Sequence, residues 1–77
     1  MEFAIQARLV EWRGAVLVRD ETRLGSATAL DDAVRAARAH AADGFTVWIY
    51  EVDRGSGTQP AYTRVDVVRP DPPRPRR

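Results

Sequence analysis

The stretch from Thr28 to Tyr50, TALDDAVRAARAHAADGFTVWIY, limits the fold more than any other part of the chain. Leu30, Ala33, Val34, Ala37 and Ala41 recur at helical spacing and predict one apolar stripe on an amphipathic helix. Thr28 is placed to cap the first turn, and Asp31 three residues later completes an approximate capping box. Asp31 and Asp32 also suit the positive end of the helix dipole. Gly44 supplies the left-handed position that commonly ends a helix. The chain then turns directly into a strand, Phe45 to about Val52, that carries Trp48 and Tyr50.

The flanking segments alternate with the period of half-buried strands. Phe3, Ile5, Ala7 and Leu9 share one face of a first strand, and Arg13-Gly14 predicts a tight turn into a second strand, Ala15 to Asp20. Glu21 to Ala27 reads as a connection to the helix. Residues 53–60 form a long hairpin loop, and Tyr62 to Val68 a fourth strand. The expected fold is α+β: a small ββαββ domain over residues 1–68, with a mainly antiparallel four-stranded sheet and one helix on one face. Residues 69–77, RPDPPRPRR, carry four of the five prolines and read as a Pro/Arg-rich disordered tail.

Composition narrows the class of function. The chain has 77 residues, near the lower limit for a self-sufficient core, and no cysteine, which excludes disulfide staples and thiolate metal sites. Self-association is a common remedy for so small a core. Residues 1–68 sum to −2 and residues 69–77 to +3, so the body lacks the broad basic footprint of a nucleic-acid-binding domain. All twelve basic residues are arginine, and twelve alanines accompany them, a bias that fits a GC-rich bacterial genome. No apolar run is long enough to span a bilayer, and the first residues lack a basic leader, so the expected location is the cytoplasm.

An enzyme signature is missing. His40 is the one histidine and falls at the edge of the helical stripe, where a solvated boundary role suffices and no metal site forms around it. Asp31 and Asp32 diverge by about 100° on the helix and serve as caps and partners of Arg35 rather than as a catalytic pair. Gly55-Ser56-Gly57 precedes a strand instead of the helix that a phosphate loop needs. The expectation is a non-enzymatic chain without cofactor or metal.

The second face of the sheet carries the functional expectation. If Phe3, Ile5, Ala7, Leu9, Val16, Val18, Phe45, Val47, Ile49, Val65 and Val67 face the helix, the opposite face holds Gln6, Arg8, Val10, Trp12, Leu17, Arg19, Trp48, Tyr50, Val52, Arg64, Asp66 and Val68. A one-helix sheet should be polar there, yet this face carries both tryptophans and a tyrosine. Trp12, Leu17, Trp48 and Tyr50, edged by Arg8, Arg19 and Arg64, are therefore the expected interaction surface. Its occupant is a second copy, another protein or the chain's own tail. The alternative is single-stranded nucleic acid stacked on the aromatic rings. Gly25 to Ala33, GSATALDDA, is similar to the start of the helix in HicB-type antitoxins, with the spacing offset by one residue and the strand at Phe45 a departure. That resemblance implies hairpin strands packed on such a helix and an accessory, toxin-blocking role.

Overall fold

The computed structural model describes residues 1–55 and 59–70. Five elements follow one another: β1 (Glu2–Arg13), β2 (Val16–Ala27), α1 (Leu30–Ala42), β3 (Thr46–Asp53) and β4 (Ala61–Val68). The strands form a single sheet in the order β2-β1-β3-β4, every neighbouring pair antiparallel. This is the expected ββαββ α+β fold. Parts of two expectations, the Ser56–Thr58 segment of the loop and the tail beyond Pro70, lie outside the described residues.

The core lies between α1 and the two central strands. Phe3, Ile5 and Ala7 of β1, Ala33 and Ala37 of α1, and Phe45, Val47 and Ile49 on and beside β3 are buried together. Burying each large apolar side chain contributes about 1.5–3 kcal/mol. Three of these eight residues are alanines, which let the helix backbone lie close to the sheet. Leu9, Val34 and Val68 pack around the edge of this cluster.

The helix ends as the sequence predicts but starts differently. Gly44 has φ +95°, its N–H donates to the carbonyl of Ala41, and the Phe45 N–H donates to that of His40. Those two bonds make a Schellman motif, and the rings of His40 and Phe45 lie 6.3 Å apart across it. The predicted Thr28 capping box is not formed. The N-cap is Ala29, without a side-chain cap, because the helix begins one residue later than that box requires.

The second strand is the larger correction. Glu21 to Ala27, expected as a connection, continues β2 and pairs with Leu9 to Phe3. The turn centres on Gly14 and Ala15, with Gly14 at φ +59°, as a two-residue hairpin with glycine first requires. β1 pairs with β3 only from Glu2 to Arg8. Beyond Arg8 no third strand flanks the β1–β2 hairpin, and past Leu9, which still packs on the core, it projects for about 14 Å at the usual rise of about 3.4 Å per residue. The result is a slab with extents of 53 × 28 × 14 Å.

Candidate interaction surface

Register places the side chains on two faces, and two bulges redraw the expected assignment. In β2 the pairing shifts between Glu11 and Trp12, so that Arg19 lies opposite Glu11 while Leu17 lies opposite Trp12. In β4 it shifts between Ile49 and Tyr50, so that Arg64 lies opposite Tyr50 but Asp66 opposite Ile49. An extra residue in a strand reverses the alternation beyond it. Arg19, Asp66 and Val68 therefore lie on the helix side, and Val67 on the outer side, against expectation. Val16 stands on the helix side but out on the projecting hairpin, 62% exposed, and Val18 and Val65 sit at the bulges, exposed as well.

The outer face consequently holds two apolar patches instead of one. The main patch spans all four strands in rows: Glu2, Val52 and Tyr62; then Ser26, Ala4, Tyr50 and Arg64; then Leu24, Gln6, Trp48 and Val67. Trp48 and Tyr50 are half-buried by their neighbours, whereas Leu24 is 80% and Tyr62 58% exposed. Val52 is 8% exposed, although it lies on this face, where Glu2 and Tyr62 flank it across the strands. The second patch is on the projecting hairpin, where Val10 and the cross-strand pair Trp12–Leu17 are exposed. Between the patches runs a polar band of Thr22, Arg8, Thr46 and Asp20.

Ala4 gives the main patch its relief. As the smallest side chain among large ones, it floors an open groove of about 440 Å³ walled by Gln6, Leu24, Tyr50 and Tyr62. Among the described residues no secondary-structure element covers this face, since the single helix lies on the other side.

The face is close to electrically balanced. Arg8 donates to Asp20 at 3.4 Å, and Arg54 donates to Glu2 at 2.9–3.0 Å. The hydrogen bond from Arg54 to Glu2, then the charge of that carboxylate, raises the guanidinium pKa above its ordinary value. On the helix side Glu21 does the same to Arg19, again by hydrogen bond first and charge second. Both arginines stay charged far above neutral pH, so these two shifts add no pH dependence near neutrality. Of the three arginines expected beside the aromatic rings, only Arg64 lies next to Tyr50 across the strands.

One functional-looking cluster escaped the sequence reading. On the helix side Arg23 of β2 lies with its guanidinium carbon 4.1 Å from the centre of the Phe45 ring. It also pairs with Asp43 at 3.1 Å and contacts His40 Nδ1 at 3.3 Å. This arrangement closes the β2 side of the core by a cation over an aromatic face. Its signal lies in tertiary contact alone. Asp32 and Arg35 form the expected helical ion pair at 3.6 Å, and Asp31 does not share in it.

No grouping of histidine, cysteine or carboxylates suited to a metal ion occurs among the described residues, and no helix is long and apolar enough to cross a membrane. No family model, curated protein or solved structure matches this chain.

Proposed function

We propose that this chain is a non-enzymatic, cytoplasmic protein-interaction module that works through the outer face of its sheet. One observation carries the proposal: an apolar patch with two half-buried aromatic rings and a highly exposed leucine crosses all four strands, on the face opposite α1. A patch of that kind on a small domain marks a contact surface. Tryptophan and tyrosine with an arginine beside them, here Arg64 next to Tyr50, are also enriched in protein–protein hot spots. Arg8 is held by Asp20 and Arg19 stands on the other face, so a stacking platform for nucleic acid retains little of the positive charge that it needs.

The test is co-purification from cells that express the chain with two different tags. Wild type is expected to retain its own second copy or a stoichiometric foreign protein. Trp48→Arg is expected to lose it, while Ala39→Arg, on the exposed side of the helix, keeps it. Equal recovery by wild type and Trp48→Arg refutes the outer face as the contact surface.

A further inference from the structure

We infer that the occupant of the outer face is a second copy of this chain, packed sheet to sheet so that Tyr50 of each copy fills the depression over Ala4 of the other. The inference rests on the outer face being the contact surface and adds its partner and geometry.

Three observations favour a second copy. The first is shape. Ala4 and Tyr50 are direct neighbours across β1 and β3, a hole beside a knob in one row. A two-fold axis along the strands, midway between β1 and β3, exchanges those strands. It lays each Tyr50 over the partner copy's Ala4 position and each Ala4 under the partner copy's Tyr50 position. The same operation sets Leu24 over the Val67 position, an apolar contact, and the Gln6 amide over the ring of the Trp48 position. An axis across the strands instead lays each strand on its own copy, and no β3 aromatic reaches the hole.

The second observation is charge. Two ion pairs, Glu2–Arg54 and Arg8–Asp20, neutralise four of the charged side chains at this face. Arg64 remains, and the strand-parallel axis sets it over Ser26 rather than over another arginine. Two identical faces can therefore approach without the like-charge penalty that normally separates copies. A polyanion finds no comparable attraction.

The third is area. Four strands at about 4.8 Å spacing and seven residues at about 3.4 Å give a flat footprint of about 450 Å² per copy. Two such faces together come to about 900 Å² before side-chain relief is counted, at the lower edge of the roughly 1,000 Å² total that a specific interface needs. Nine buried apolar side chains make a thin core for a chain of this length, so covering the second face adds stability that the isolated slab lacks.

Light scattering after size exclusion at tens of micromolar, together with a spin-label distance, tests the arrangement. The natural chain has no cysteine, so Ala39→Cys gives one clean label on the exposed side of α1. The expected mass is twice that of one 8.6 kDa chain. The expected label distance is about 30–40 Å, because two sheets about 10 Å apart separate helices about 10 Å thick on opposite outsides. Pairing through the β2 edge would put both helices on one side at about 20 Å and would overturn the inference, as would a monomeric mass. Ala4→Trp fills the hole while making the face more apolar. It is expected to shift the dissociation constant by at least tenfold toward monomer, whereas unspecific stickiness predicts tighter association. Ala4→Ser is expected to stay dimeric. If Ala4→Trp loses its fold by circular dichroism, mass and label distance decide. A monomer that still captures a foreign partner through Trp48 overturns the second copy and leaves the interaction surface standing. Loss of both overturns both.

Discussion

Replacing Gly44 by alanine isolates the joint between helix and strand on which the fold depends. Gly44 holds φ +95°, a backbone region that costs an L-residue about 1–2 kcal/mol. The new methyl group would lie 3.3 Å from Leu9 Cδ1, tight, but against the end of a flexible side chain that yields by a few tenths of an ångström. The backbone term therefore dominates, and the total loss is about 1–2 kcal/mol. For a domain of this size each 1 kcal/mol lowers the midpoint by about 4–8 °C, so the expected fall is about 5–15 °C. The assay is thermal unfolding followed by circular dichroism at one fixed concentration, because association makes the midpoint concentration-dependent. Gly14→Ala tests a second positive-φ site: its φ is +59° and nothing lies within 4 Å of the added carbon, so its loss comes from the turn backbone alone. Gly44→Asn should lose less than Gly44→Ala, since asparagine tolerates left-handed backbone better. A Gly44→Ala protein that melts within about 2 °C of wild type would refute the Schellman joint as a determinant of stability.

Three further outcomes follow from the packing. Ala37→Leu, at a fully buried helix position over the sheet, should lower the urea midpoint by an amount equivalent to about 1–3 kcal/mol, and an unchanged midpoint contradicts the close approach of α1. Arg23→Ala removes the cation over Phe45 and the pair with Asp43; a loss of about 1 kcal/mol is expected by chemical unfolding, and Arg23→Lys should restore less than half of it because an ammonium does not stack. Trp12→Ser on the projecting hairpin should leave the association state unchanged, and a fall in mass would show that the two outer patches act as one.

Legibility in the sequence followed burial. The helix, its glycine stop and the β1 and β3 core positions all carry apolar periodicity, because one side of each element is buried and the other is not. Glu21 to Ala27 carries none. It belongs to an edge strand, paired on one side only and mostly exposed on both faces, so neither alternation nor an apolar run betrays it. Charged residues such as Arg19, Asp20, Glu21 and Arg23 are the usual guard of an exposed edge against unwanted pairing, and in a linear sequence they look like a loop.

The bulges had the greatest consequence for the candidate site. Each adds one residue without changing composition or local hydropathy, so alternation counted from either end of β2 or β4 is valid only as far as the irregularity. Arg64 lies before the β4 bulge and keeps the face that alternation predicts. Asp66, Val67 and Val68 lie beyond it and take the opposite faces. Arg19 lies across the β2 bulge from the hairpin turn and takes the opposite face too. Its removal changes what the surface is suited to hold. With three arginines beside the rings, the face resembled a platform for a polyanion. With Arg19 on the helix side against Glu21 and Arg8 tied to Asp20, the aromatic row lies in a nearly neutral field. A nearly neutral, hollowed face suits an apolar partner better than a polyanion, and in the proposed dimer that partner is the same face turned about a two-fold axis.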